Sequence, residues 1–156
     1  MKRVIVSILF IVLILCSCSN GVVKSDVLLN EDSLNTAFSL KTKGVIYSGE
    51  IKVNNNDEIE LMFNKPETIS GISFIITENS IKGMSGDVSV FSSDVITDTV
   101  FSELFNAVKI LRTAEEIYKS SDGLYEYKHE LFKVELDSEG KIITLTTKNG
   151  EFYFNN

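Results

Sequence analysis

The stretch Glu58-Ile59-Glu60-Leu61-Met62-Phe63-Asn64-Lys65-Pro66-Glu67-Thr68-Ile69-Ser70-Gly71-Ile72-Ser73-Phe74-Ile75-Ile76 decides the fold. Ile59, Leu61 and Phe63 alternate with Glu58, Glu60 and Met62. Successive side chains of a strand point to opposite faces, so this period of two puts the apolar set on one face. Pro66 comes just after the strand, where a missing N–H is tolerated. The alternation then resumes, with Ile72, Phe74 and Ile76 against Ser73, Ile75 and Thr77. Two half-buried strands joined by so short a connection are antiparallel neighbours.

The same pattern recurs on either side. It is carried by Thr36, Phe38 and Leu40, by Ile51 and Val53, and more briefly by Val88 and Val90. Toward the end it is carried by Phe132, Val134 and Leu136, by Ile143 and Leu145, and by Phe152 and Phe154. The separators are turn chemistry: Lys43-Gly44, Asn54-Asn55-Asn56-Asp57, Glu78-Asn79-Ser80, Ser85-Gly86-Asp87, Ser121-Asp122-Gly123, Asp137-Ser138-Glu139-Gly140 and Lys148-Asn149-Gly150. Gly and Asn tolerate positive φ, and Asp and Ser bond nearby backbone. One segment breaks the rule. From Thr97 to Arg112, Phe101, Leu104, Phe105, Val108 and Leu111 recur at helical spacing, widened by Val100, Ala107 and Ile110. So broad a stripe predicts a helix laid on a sheet or inside a concave one. Thr97 and Asp98 suit its start, and Lys109 and Arg112 its end. Ala114 to Lys119 reads equally as a continuation or as the next strand. The expected class is α+β, mainly β: a curved, half-barrel-like antiparallel sheet with one main amphipathic helix on its concave face.

Composition bounds the chemistry. The chain has 156 residues, 44% apolar and 24% charged, enough for one ordinary core and one domain. Fifteen basic residues against 22 acidic give a net charge of −7, which is unsuited to binding nucleic acid. One His and two Cys are too few for a Cys/His zinc site. Both cysteines lie at Cys16 and Cys18, so no disulfide framework holds the body.

The N-terminus reads as an address. Met1-Lys2-Arg3 is basic, Val4 to Leu15 is apolar but for Ser7, and small residues follow. These are the parts of a secretory signal, and the apolar run falls short of the roughly 17 residues that cross a bilayer. Leu15-Cys16-Ser17-Cys18 resembles the bacterial lipobox: an aliphatic residue, a tolerated one, a small one, then the cysteine that takes diacylglycerol on its sulfur. Cys18 fits because Ser17 precedes it; Cys16 would put Leu15 where the small residue belongs. The resemblance implies a signal peptide over 1–17, a lipidated N-terminus and tether over 18–33, and a single β-rich domain over 34–156. A run within the tether, Val27-Leu28-Leu29, reads as a short docking strand or turn. Each buried methylene contributes about 0.8 kcal/mol, so two or three chains on one cysteine hold firmly. Loss of residues 1–17 removes Lys2 and Arg3 and no acid, so the charge becomes −9. Anionic headgroups repel such a body.

The domain carries a second resemblance. Phe63-Asn64-Lys65-Pro66 closes a strand, a short helical turn follows, and Gly71-Ile72-Ser73-Phe74 opens the next strand. Later come the helix, Asp122-Gly123-Leu124-Tyr125, a strand pair and the turn Asp137-Ser138-Glu139-Gly140-Lys141-Ile142. Over roughly residues 34–154 this arrangement is similar to small lipoproteins of clostridia-like Gram-positive bacteria. Those are distantly similar to the lipoprotein-carrier class, the LolA, LppX and LprG type. The resemblance implies a curved sheet wrapping a helix and able to hold acyl chains, with no catalytic residue and no cofactor.

Sites for chemistry are sparse. His129 stands alone among Tyr125-Glu126-Tyr127-Lys128-His129-Glu130, with no nucleophile elbow in the chain, and reads as an exposed strand or loop residue. Asn54 to Asp57 lacks the spacing of a calcium loop. Asp94 and Asp98 suit helix capping. Glu115, Glu116, Glu126, Glu130 and Glu135 read as charged outer faces, with nothing to set two of them across a cleft. Phe74, Phe101, Leu104, Phe105 and Val108 either line an apolar pocket or form a close-packed core. The expected protein is a lipid-anchored, non-catalytic domain on the extracytoplasmic face of the cell membrane. It binds a lipid or other apolar ligand, or else serves as an interaction module with a filled core. Cys18→Ala should abolish incorporation of labelled fatty acid and leave an unprocessed precursor by mass, whereas Cys16→Ala should do neither.

Overall fold

The computed structural model describes residues 22–24, 34–54, 58–93, 98–114, 116–119 and 123–155. The expected signal segment, Cys16, Cys18 and Val27-Leu28-Leu29 lie outside them, as do Asn55 to Asp57, Asp94, Thr97 and Glu115. The strands are β1 (Val22–Lys24), β2 (Thr36–Thr42), β3 (Val45–Asn54), β4 (Glu58–Lys65), β5 (Ile72–Ile76), β6 (Ile81–Ser85), β7 (Val88–Ser93), β8 (Glu116–Lys119), β9 (Tyr125–Lys128), β10 (Phe132–Leu136), β11 (Ile142–Thr147) and β12 (Glu151–Asn155). One α-helix, α1 (Val100–Leu111), separates β7 from β8 among the described residues. A 3-10 turn, Glu67–Ile69, follows Pro66, where the sequence predicts a short helical turn.

All twelve strands form one open, curled antiparallel sheet in the order β1-β8-β9-β10-β11-β12-β2-β3-β4-β5-β6-β7. Two meanders, β2 to β7 and β8 to β12, are therefore joined at one seam. The seam is β12 against β2, with Phe152 opposite Leu40 and Phe154 opposite Phe38. β1 lies within the segment read as a tether, and it pairs with β8, Val22 opposite Tyr118. The undecided stretch after the helix is thus a strand, its Ile117 buried.

Alternation predicts burial closely in β2, β3, β4, β10 and β12. It fails in three places, the first being β5, where only Ile76 is buried and the four residues before it are all half-buried. In β11 the buried residues are Ile142 and Leu145, not Ile143 and Leu145. The register slips here: Leu136 faces Ile142 while Glu135 faces Thr144, so Ile143 is an extra residue and the inward face changes parity. In β7 the alternation of Val88 and Val90 marks a strand but no buried face. Val88, Val90 and Phe91 are 65%, 55% and 50% exposed, because β7 ends the sheet beyond the core.

The helix starts later than its sequence suggests. Thr99, not Thr97 or Asp98, is the cap: its Oγ1 accepts the Ser102 N–H at 3.1 Å and its own N–H donates to Ser102 Oγ. Val100, Leu104, Phe105, Ala107, Val108 and Leu111 are buried in one cluster with residues of both meanders. Phe101 and Ile110 flank the stripe half-buried. No polar or charged side chain is buried among the described residues.

The centre of the core is a chain of rings. Phe63 on β4 meets Phe38 on β2 at 5.5 Å, Tyr47 on β3 at 5.9 Å and Phe74 on β5 at 5.5 Å, each edge-on. Phe74 stacks on Phe101 of the helix at 5.4 Å, and Phe38 continues to Phe152 and Phe154. Gly49 makes the Phe38–Phe63 contact possible. It pairs with Phe38 on one side and Phe63 on the other, so no side chain stands between the two rings. It also sits at a bulge, where a Cβ would run into the Met62 carbonyl oxygen. Gly49→Ala should therefore destabilise the domain by about 1–3 kcal/mol through overpacking. Phe63→Ala should cost about 3–5 kcal/mol. Urea unfolding midpoints check both.

Candidate functional site

The cleft lies where α1 begins. Its inner walls are Leu40 of β2, Tyr47 of β3, Phe63 of β4, Ile69 of the 3-10 turn, Phe74 of β5 and Phe101 of α1. Thr42, Lys43, Asp98, Thr99, Val100 and Asn149 complete the lining. The volume is about 410 Å³, open to solvent. That is toward the small end of the roughly 300–1,000 Å³ typical of ligand clefts.

Three separate turns are tied together at the mouth. Asn149, between β11 and β12, donates its backbone N–H to Glu103 Oε2 at 3.0 Å and its Nδ2 to Glu103 Oε1 at 2.7 Å. Its Nδ2 also reaches the Asp98 carbonyl at 3.4 Å. Thr42 Oγ1, at the end of β2, donates to the Asn149 carbonyl at 2.7 Å. Beside it Gly150 lets the helix start approach closely: a Cβ there would stand 2.6 Å from Val100 Cγ2 and 3.0 Å from Leu40 Cδ1. The start of α1 is thereby pinned to the seam, and the walls are held apart by packed backbone.

Of the five residues expected to line a pocket, the structure brings two, Phe74 and Phe101, to the cleft. Leu104 is fully buried in the core. Phe105 and Val108 face Val53 and Ile59 across a crevice with no room for a water molecule. Phe101 lies in the first turn, half-buried and stacked on Phe74 at the opening, whereas Leu104, Phe105 and Val108 further along are buried. Leu40, Tyr47, Phe63 and Ile69 are walls that local pattern assigns only to strands or a turn. Their meeting depends on the β12–β2 seam and on the returning helix, which no local period reports.

The other candidate residues are ordinary. His129 is half-buried in the turn between β9 and β10, its ring stacked on Phe132 at 5.1 Å and its Nδ1 accepting the Leu131 N–H. Asn54 bonds Glu58 and, through its carbonyl, Arg112. Asp98 precedes the cap rather than forming it. Glu130 is exposed, and Glu116 is placed by pairing with Lys24. Among the described residues no group of three His, Cys, Asp or Glu is placed to hold a metal ion.

Glu126 and Glu135 do come together, on a polar sheet face and around a cation. Lys133 Nζ lies 2.5 Å from Glu126 and 2.8 Å from Glu135; Lys128 also reaches Glu126 at 2.8 Å, and Thr144 donates to Glu135. Hydrogen bonds from Lys128 and Lys133 hold Glu126 below its ordinary value of 4.5. Bonds from Lys133 and Thr144 do the same for Glu135. Lys133 is correspondingly raised, first by Glu126 and then by Glu135. A row of salt-bridged carboxylates is a cross-strand ladder, not an acid–base pair.

No family model and no curated protein matches this chain. A solved crystal structure, described as an uncharacterised conserved protein from Thermus thermophilus, is similar at 18% identity and a TM-score of 0.29. The match covers 81% of this chain and 83% of that one. No helix among the described residues is long and apolar enough to cross a membrane.

The ladder predicts an acid response. Carboxyls lowered by folding favour the folded state above pH 4.5, and that contribution disappears as pH falls through their lowered values. Lys133→Met should shift the acid unfolding transition, followed by circular dichroism, to higher pH. The shift should be small, because exposed pairs contribute little.

Proposed function

We propose that the chain is an exported bacterial lipoprotein, anchored through lipid on Cys18 at the extracytoplasmic face of the membrane. Its non-catalytic domain binds an apolar ligand. The observation that carries the binding reading is the cleft: six apolar or aromatic walls around about 410 Å³ of space, beside the buried core. Half-buried rings facing open space gain about 25 cal/mol for each Å² an apolar occupant covers. In this reading the sheet curls around α1 as a half-barrel, with the helix on its concave side. Burial of helix residues in one cluster with both meanders supports that placement. The leader Met1-Lys2-Arg3 with its apolar run, and Ser17-Cys18, support export and anchoring.

A second reading rests on β7. This uncharged strand ends the sheet and exposes Val88, Val90 and Phe91, a surface suited to strand addition by another envelope protein. In that case the domain is an interaction module, and the cleft is incidental.

Binding of N-phenylnaphthylamine separates the two. The full-length lipoprotein, extracted in mild detergent, should bind the dye saturably with a rise in emission. Ile69→Arg, which puts a charged chain into the cleft, should reduce that binding about tenfold or more with unchanged circular dichroism. Val90→Lys on β7 should leave it unchanged. Undiminished binding by the Ile69 variant would remove the cleft as the ligand site.

A further inference from the structure

We infer that the occupant of the cleft is a single-chain zwitterionic amphiphile: one apolar chain whose head carries an ammonium group beside a phosphate, as in a lysophospholipid with an ethanolamine head. This rests on the reading of the cleft as an apolar binding site and names its ligand.

Two observations converge at the mouth. Among the described residues, only two that are not glycine adopt positive φ: Lys43 at +48° and Asp98 at +54°. Both line this cleft. Side chains with a Cβ enter that region at a cost, and Lys lacks the local hydrogen bond that makes it easier for Asn or Asp. Lys43 occupies the first central position of the two-residue turn between β2 and β3, with Gly44 at +79° after it. The turn geometry there favours Asn, Asp or Gly. A lysine in that place supplies a cation where the backbone alone would be better served by a neutral residue.

The second observation is that these charges are uncommitted. Lys109, Lys128, Lys133 and Lys141 each hold a carboxylate; Lys41, Lys52, Lys65, Lys82 and Lys148 hold none among the described residues, so Lys43 is set apart from these by its place on the cleft together with its positive φ. Neither Lys43 nor Asp98 has an ion pair among the described residues, although both border one cleft. A cationic and an anionic residue on the lining of one apolar cleft complement a head that bears both charges. A head with no net charge also escapes the repulsion that a chain of net charge −7 exerts on anions. The volume sets the tail: about 410 Å³ suits one chain rather than two.

Displacement of N-phenylnaphthylamine from the full-length lipoprotein tests this, with amphiphiles of one chain length below their micelle-forming concentrations. Lauroyl lysophosphatidylethanolamine should displace the dye at a concentration about tenfold or more below dodecanoate and below dodecylamine, one tenfold step for each well-placed pair. Lys43→Gly should erase the advantage over dodecylamine and Asp98→Asn the advantage over dodecanoate, each displacement being referred to that variant's own dye affinity. Lys43→Gly should not lower the melting temperature, since glycine accepts φ +48°. Equal displacement by all three amphiphiles, or a preference that survives both substitutions, overturns the zwitterion while leaving the apolar cleft in place. Failure of the dye to bind at all overturns both.

Discussion

The missing side chain at Gly49 is the constraint on which this domain depends. β2 and β4 are not neighbours, and β3 runs between them. Their phenylalanines meet across Gly49, which stands opposite both and has no room for a Cβ against the β4 backbone. Glycine weakens a strand through entropy and lost packing, and a ring laid over it restores the packing. Here two rings do so. The gap is then continued by Phe74 and Phe101 on one side and by Phe152 and Phe154 on the other. Gly83 repeats the device further along. It stands opposite Phe74 and Phe91, and a Cβ there would touch Phe91 Cβ at 3.4 Å and Phe74 Cε1 at 3.9 Å.

This ring chain joins what topology alone leaves far apart. Each meander is a set of local hairpins, and the two communicate through the β12–β2 seam and through the helix. Phe38 and Phe152 lie on the seam, and Phe101 lies on the helix, so the same aromatic chain touches both links. The cleft is a consequence. At its start α1 rests on Gly150 and is fixed by Asn149 and Glu103, which sets the first turn at one height above the strands. Further along, Phe105 and Val108 meet Val53 and Ile59 directly. The helix is seated firmly at both ends of this line, so the space beside Phe101 does not close.

The legible part of this structure is the part with a local cause. Apolar residues two apart gave β2, β3, β4, β10 and β12 because those strands have one face inside. The stripe through Leu104, Phe105 and Val108 gave the helix. The misread details have non-local causes. An extra residue in β11 exchanged Ile143 for Ile142 as the buried neighbour of Leu145, and a bulge depends on the partner strand. Val88 and Val90 alternate like core residues yet lie beyond the core, since position in the sheet decides exposure. The cleft was half legible. Phe74 and Phe101 were found as apolar residues on facing elements; Leu40, Tyr47 and Ile69 were not, because only the fold brings them near. A usable signal did exist in Lys43-Gly44, a hairpin turn with lysine in the place that suits asparagine.

The seating of the helix also bears on why this cleft differs from an imperfection in packing. A void inside a core shrinks when neighbouring side chains can shift, and its remaining cost grows with its volume. The walls here have little freedom to shift. Phe63 is gripped by three other rings, Leu40 by the seam and the close approach of Val100, and Ile69 by the turn whose N–H bonds the Pro66 carbonyl. A longer residue in place of Ile69, or a bulkier one in place of Leu40, would fill much of the space by simple extension. The chain instead keeps medium-sized walls around an opening, with Lys43 and Asp98 on its lining. Confined walls, open apolar volume and a charged rim are each common singly; their meeting at one place is what the binding proposal rests on, since walls already set leave little ordering for an occupant to impose.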